Sequence, residues 1–172
     1  GRTVVWNKLW KWNTPSSGLG AEWGVRMEPR ARDDYAAYLL KSNPDVEVEE
    51  VGIIVNPEFP WLSCSPDGIV HNHGDRGPGL LEIKCPVKRM PRQGSIPRRH
   101  WDQIQGSMGI LGVAWCDYVT WMPGRLRITR YDFDADYWKQ QLLPNLKRFY
   151  LNELLPALVL KENGLLRENS LA

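Results

Sequence analysis

The chain has 172 residues, of which 42% are apolar and 24% charged, the proportions of an ordinary soluble globular protein large enough to bury a core. Lys and Arg number 22 against 20 Asp and Glu, and the resulting net charge of +2 is too small to mark a nucleic-acid partner by itself. No apolar run approaches the ~20 residues of a membrane span, the N-terminus lacks the apolar stretch of a secretory leader, and Cys64, Cys85 and Cys116, odd in number and without a CxxC, exclude a disulfide framework or a four-cysteine metal site and fit a reducing compartment.

Residues 1–20 read as an aromatic and polar extension that ends in the loop-like Pro15-Ser16-Ser17-Gly18-Leu19-Gly20. Nine tryptophans are unusual, and Trp6, Trp10, Trp12 and Trp23 crowd into the first 23 positions; they are read mainly as packing residues. A helix is predicted to begin between Trp23 and Glu28 and to run to about Lys41, with Pro29 confined to its first turn. Its buried stripe would be Ala31, Tyr35, Tyr38 and Leu39. Ser42-Asn43-Pro44 ends it. Residues 46–56 are β-like, and 61–70 and 80–86 are further strands, folded back on one another by the Gly-rich turn at 71–79. Residues 100–112 read as a second helix, with Ile104, Met108 and Leu111 on one stripe. Strands over 115–121 and 126–133 meet at a Pro123-Gly124 turn. Residues 134–160 read as helical, with Leu142, Leu146, Phe149, Tyr150 and Leu154 as core candidates and a kink or restart at Pro144. The apolar Leu154, Leu155, Leu158 and Leu160 are assigned to core rather than interface. The order α-β-β-β-α-β-β-α predicts an α/β (α+β mixed) fold, one mixed sheet flanked by helices. It forms a single domain with a core at 21–160 and a C-terminal tail at 161–172.

The chemistry concentrates in Ser65-Pro66-Asp67-Gly68 and Leu81-Glu82-Ile83-Lys84-Cys85-Pro86, with fourteen residues between Asp67 and Glu82. Leu81, Ile83 and Cys85 alternate with Glu82 and Lys84, so a strand sets the carboxylate and the ammonium on one face. Two carboxylates can hold a hard divalent cation, and a neighbouring lysine can orient or help deprotonate a water. That combination suits phosphodiester hydrolysis. The bare spacing is weak, because Glu beside Lys on an exposed strand is ordinarily a solvated face. The apolar surroundings weigh the other way, since a buried unpaired carboxylate is costly. From Val87 to His100 the chain carries Lys88, Arg89, Arg92, Arg98 and Arg99 with no acid. Directly after the acidic pair, this segment is a candidate phosphate-contacting loop. His71, His73 and His100 include a His-X-His, but a metal role is discounted, because the first two lie in the turn at 71–79 and hard oxygen donors favour magnesium or manganese over zinc.

Gly24-Val25-Arg26-Met27-Glu28, the two acidic motifs and Trp101-Asp102-Gln103-Ile104-Gln105-Gly106-Ser107-Met108 together resemble the lambda exonuclease/YqaJ viral recombinase family of the PD-(D/E)XK nuclease superfamily. The resemblance spans about residues 20–160, and its Leu-Glu-Ile-Lys-Cys-Pro and Gln-Ile-Gln-Gly-Ser-Met strings are specific to that branch. It implies a restriction-endonuclease-like core and a metal-dependent 5′→3′ exonuclease of double-stranded DNA that serves viral or phage recombination. By the same resemblance, Asp67 and Glu82 are metal ligands with the Ile83 carbonyl, and Glu28 helps hold a second Mg2+ or Mn2+ through water. Lys84 positions the attacking water, and Gln103 touches the nucleophile or the scissile phosphate. Arg30, Arg32, Lys88, Arg89, Arg92, Arg98, Arg99 and Gln105 are the candidate DNA contacts, Gln105 less so because it does not share a helix face with Gln103. The implied partners are double-stranded DNA ends, a single-strand annealing protein and further copies in a ring-shaped homotrimer, with no membrane. The implied location is a cytoplasm, that of the host if the source is viral, with a nucleus or organelle as the alternative. Family members carry a Thr-Ala-Ser-type string and a 5′-phosphate-anchoring arginine upstream. Arg2 stands in no such string, so the end anchor is expected outside this stretch or in another form. The alternatives are a structure- or site-specific endonuclease and an inactive DNA-binding or recombination-partner domain, the latter opposed by the intact Glu28, Asp67, Glu82 and Lys84.

Overall fold

In the computed structural model, residues 18–166 are described. Arg2, Trp6, Trp10 and Trp12 lie outside the described residues. Helix α1 (Leu19–Leu40) starts earlier than expected, so that Pro29 falls mid-helix rather than in the first turn. The missing proline N–H deprives the Val25 carbonyl of its helical donor. That turn faces solvent, with Val25 73% exposed, so water can take the donor's place. The helix meets the sheet along the i, i+4 row of Ala31, Tyr35 and Leu39, with Arg32 buried beside it. Tyr38 lies off that row and is exposed, against expectation.

The main sheet has the order β1 (Glu47–Glu49), β4 (Gly68–His71), β5 (Gly79–Lys84), β6 (Trp115–Met122), β7 (Arg125–Asp132). β2 (Ile54–Val55) and β3 (Ser63–Cys64) form a separate two-stranded ribbon. Each of the two strands expected over 46–56 and 61–70 is therefore two shorter ones. Gly52 and Pro66 sit at the breaks, and a proline cannot donate to a ladder. Neighbouring strands of the main sheet run antiparallel except β5 and β6, which are parallel. Helix α2 (Arg98–Leu111) makes the crossover between them.

Alternation along β5 decides what each face receives. Leu81 and Ile83 pack with Ala31, Tyr35, Leu39, Trp115, Val119 and Trp121 under α1. Leu80 packs with Ile69, Ile104, Met108, Cys116 and Tyr118 under α2. Each such large apolar side chain contributes roughly 1.5–3 kcal/mol on burial. Beneath α1, buried Asp117 accepts from Tyr35 Oη at 2.7 Å and from two nitrogens of Arg130 at 2.8 and 2.7 Å, tying the helix to β6 and β7.

The C-terminal stretch consists of α3 (Ala135–Tyr137), α4 (Leu143–Phe149) and α5 (Leu155–Glu162), linked by π-helical turns over Trp138–Leu142 and Tyr150–Leu154. Each wide turn immediately precedes the turn that holds Pro144 or Pro156, where the absent N–H breaks the i→i−4 ladder. The restart expected at Pro144 thus occurs, and Pro156 repeats it. Leu142, Leu146, Phe149, Tyr150 and Leu154 are only half-buried and line an open groove, and of them Phe149 and Leu154 also pack against buried Ala157. Tyr137 and Trp138 are the other buried anchors of the stretch. Trp138 lies so close to α2 that a Cβ on Gly109 would stand 2.5 Å from its ring. Among the described residues, no helix is long and apolar enough to cross a membrane.

Candidate active site

The hairpin register converts two distant motifs into one site. Gly68 pairs with Leu81, so Asp67 reaches the end of β5 and its Oδ2 accepts the Ile83 N–H at 2.5 Å. Glu82 and Lys84, two residues apart on β5, share a face. Lys84 Nζ donates to Glu82 Oε1 and, at 3.3 Å, to Oε1 of Gln103 on α2. From α1, Glu28 accepts from Arg32 at 2.9 Å. The same guanidinium donates to the Asp67 carbonyl at 2.9 Å and pairs with Glu50 at 2.6 Å. Glu28, Asp67, Glu82, Ile83, Lys84 and Gln103 thereby line one cleft of about 540 Å3, together with Arg99, His100 and Tyr118. An apolar groove of about 480 Å3 between α2, the β2–β3 ribbon and the C-terminal helices adjoins it at Gln103. The convergent carboxylates lie in the first cleft, and the chemistry belongs there.

Burial dominates the electrostatics of that cleft. Glu82 is 1% exposed, and its Oε2 has no hydrogen-bond partner, an omission that costs ~1–3 kcal/mol. Burial first, then the Asp67 charge, push the Glu82 carboxyl up to about 7. Burial also raises Asp67, against the opposing pull of the Ile83 N–H, Lys84 and Arg32. Glu28 is raised by burial and then by Asp67. A cation would relieve all three. The donor set is of the type a hard divalent one takes: the partnerless Glu82 oxygen, the Asp67 carboxylate and the Ile83 carbonyl are all oxygen donors on adjoining strand ends. Among the described residues, no three His, Cys, Asp or Glu side chains converge as a ligand group.

The basic candidates divide. Arg99 faces the cleft. Lys88, Arg89 and Arg92 are exposed in the loop after β5, which Arg127 tethers by donating to the Pro91 carbonyl at 2.6 Å. Arg30 is exposed on α1. Arg98 is exposed but engaged with Asp102 at 2.8 Å and Tyr137 Oη at 2.7 Å. Two candidates are buried instead of exposed. Arg32 is committed to Glu28, Glu50 and the Asp67 carbonyl. Gln105 is fully buried, donating to the Asp132 carbonyl and accepting the Asp134 N–H. Two residues along a helix turn it away from Gln103 and the cleft.

His100, in the first turn of α2, lines the cleft. Its Nδ1 lies 2.7 Å from Tyr118 Oη. Desolvation, then Lys84 and Arg99, hold its imidazole down to about 4, so the ring is neutral near pH 7. Helical spacing was a usable signal for it, since His100 is three residues before Gln103. Tyr118 had none, because only the parallel pairing with Glu82 brings it there. His71 ends β4 and pairs with Glu49 at 2.8 Å, and His73 packs against Trp115.

A sequence profile of the YqaJ-like viral recombinase domain matches residues 11–114. The chain belongs to that family. Among solved structures, this YqaJ-like domain resembles LHK-Exo in complex with dAMP, with a TM-score of 0.64 and 26% identity over 94% of this chain and 82% of that one. A second LHK-Exo structure, described as an alkaline exonuclease from Laribacter hongkongensis, matches with a TM-score of 0.63 and 26% identity over 87% and 75% of the two chains. SSO0001 shares the fold at a TM-score of 0.54 and 18% identity over 86% and 70%. No curated protein matches. The mixed sheet with helices on both faces is the arrangement expected from the order of elements, and its likeness to these exonucleases is the restriction-endonuclease-like core that the resemblance implied.

Proposed function

We propose that this YqaJ-like domain is a divalent-metal-dependent deoxyribonuclease that degrades double-stranded DNA from its ends in the 5′→3′ direction. The observation that carries the hydrolytic reading is the convergence of a buried Glu82, with one partnerless oxygen, on Asp67, Lys84 and Gln103 in a single cleft. Such an arrangement is costly unless a ligand completes it. Asp67, Glu82 and the Ile83 carbonyl would hold Mg2+ or Mn2+, and Glu28 would support a second ion through water. When bound, the ions supply Lewis-acid stabilisation of charge on the phosphate and the leaving oxygen.

Lys84 is held between Glu82 and Gln103, which leaves its ammonium fixed at the mouth of the acids. There it orients the attacking water in line with the phosphorus–oxygen bond that breaks. Gln103, exposed on α2, supplies an amide to the nucleophile or to a phosphate oxygen. Lys88, Arg89, Arg92 and Arg99 contact the backbone, a sequence-independent and salt-sensitive mode of binding. The end-directed part of the reading rests on the likeness to LHK-Exo, an exonuclease whose structure holds dAMP. A deoxynucleoside monophosphate is the product class that end-directed cleavage releases. A ring-shaped trimer and a single-strand annealing partner complete the proposal.

Linear duplexes labelled at either end, with and without a 5′-phosphate, test it beside a closed circle in magnesium, manganese or EDTA. Metal-dependent loss of the 5′ label first, with the circle intact, is the expected result. Cleavage of the circle would replace the exonuclease with an endonuclease, and inertness toward every substrate would remove the enzyme.

A further inference from the structure

The wall of the cleft opposite α1 carries a polar relay from Arg99 through His100 to Tyr118. Arg99 Nε–H can only donate, and it points to His100 Nε2 at 3.2 Å. That nitrogen must therefore accept, and in a neutral imidazole the ring proton then sits on Nδ1. Nδ1 lies 2.7 Å from Tyr118 Oη, so His100 donates and the phenol oxygen accepts. Tyr118 cannot return its own hydrogen to His100, because Nδ1 has no free lone pair. Glu82 stands beside Tyr118 across the β5–β6 pairing, yet its free Oε2 has no donor either. Among the described residues nothing else accepts the Tyr118 hydrogen. The side chain is 5% exposed and lines the cleft. A buried hydroxyl whose proton has been directed away from its only partner is prepared for an acceptor that arrives from outside.

We propose that Tyr118 donates this hydrogen to a non-bridging oxygen of the DNA phosphate in the cleft, with Arg99 and His100 as positioning residues that set its direction. The inference rests on the nuclease reading of the same cleft. Phosphate oxygens are anionic acceptors, and a hydroxyl donating to one makes a short, charge-assisted bond. The parallel strand places Tyr118 next to Glu82, so the hydroxyl would meet the phosphate on the side away from Glu28. Tyr131 packs edge-on against the Tyr118 ring at 6.2 Å between centroids, which keeps the phenol from swinging out of the cleft.

The test compares magnesium-dependent digestion of a linear duplex by wild type, Tyr118→Phe, His100→Ala, His100→Asn and the double variant Tyr118→Phe/His100→Ala. Phe preserves the ring packing, so only the hydroxyl is lost. Tyr118→Phe should lower kcat/KM roughly 10- to 100-fold, the range of a hydrogen bond to a charged group. His100→Ala should lose less, His100→Asn should recover most of that loss because its amide N–H can replace Nδ1–H, and the double variant should be no slower than Tyr118→Phe. Cleavage by Tyr118→Phe within twofold of wild type overturns the inference while leaving the nuclease reading intact. Fully multiplicative losses in the double variant overturn the relay. Absence of wild-type cleavage overturns both.

Discussion

Arg32 Nε donates to the main-chain carbonyl of Asp67 at 2.9 Å, a bond between residues 35 positions apart. It couples α1 to the turn that delivers the first acidic motif. Because the same guanidinium also holds Glu28, the relative placement of the two acids depends on one side chain. A planar fork can serve several acceptors at fixed angles, which a lysine ammonium cannot. Arg32→Lys should therefore raise the magnesium concentration for half-maximal cleavage while costing on the order of 1 kcal/mol in stability. Arg32→Ala should also lose roughly 2 kcal/mol in urea unfolding. A magnesium requirement unchanged in the lysine variant would show that Arg32 does not organise the acids.

Lys84→Ala removes the ammonium held between Glu82 and Gln103. Cleavage should fall about 100-fold or more, while duplex binding in EDTA persists within a few-fold. Gel-shift and single-turnover assays on one preparation separate the two. DNA degraded at the normal rate by this variant would move the chemistry elsewhere.

The acids should make the metal-free fold sensitive to pH in an unusual direction. Because burial raises the Glu82 carboxyl to about 7 from 4.5, the folded chain binds that proton more tightly than the unfolded chain. The associated stability is full below about pH 4.5 and is lost as pH rises through about 7. The loss from this group is on the order of 3 kcal/mol. Asp67 and Glu28 are raised too and act in the same sense. Thermal unfolding in EDTA should show Tm falling across this window, with magnesium reversing the fall. Glu82→Gln should flatten part of the slope, stabilise the metal-free protein near neutrality and abolish cleavage. A Tm that climbs with pH in EDTA would contradict the burial of these carboxyls.

The exposed loop after β5 should act through charge number alone. Replacing Lys88, Arg89 and Arg92 by Gln should weaken duplex binding at low salt. The log–log salt slope should fall by about 0.9 for each phosphate contact removed. Gln105→Ala should leave that slope unchanged and lower stability by about 1 kcal/mol, because it removes the side-chain bonds to the Asp132 carbonyl and the Asp134 N–H. The opposite pattern in a fluorescence titration would return Gln105 to the DNA interface.

Asp117→Ala should be among the most destabilising single changes outside the cleft. It would leave Tyr35 Oη and Arg130 without their buried acceptor, at a cost of about 3 kcal/mol in denaturant unfolding. A loss under about 1 kcal/mol would mean that water replaces the carboxylate at little cost.

How much was legible in the sequence follows from what is local. The alternation of Leu81, Ile83 and Cys85 with Glu82 and Lys84 determined by itself that the carboxylate and the ammonium share a face, because a strand's side-chain period is two whatever surrounds it. The Gly-rich turn between Asp67 and Glu82 likewise announced the hairpin. Helical spacing separated Gln103 from Gln105, and the structure assigns them to the cleft and to the scaffold. Tertiary structure decided everything that depends on which elements meet. Arg32 resembled any exposed arginine until α1 was laid over the sheet and three acceptors closed around it. Leu146 and Phe149 had the apolar character of a core, but two proline-broken turns leave their stretch lining an open groove. Tyr118 entered the cleft only through the parallel register beside Glu82, a pairing between strands separated by a whole helix. Side-chain periodicity is written residue by residue along a backbone, whereas register and burial are set by packing between segments distant in the chain, where no single stretch of sequence holds both halves of the contact.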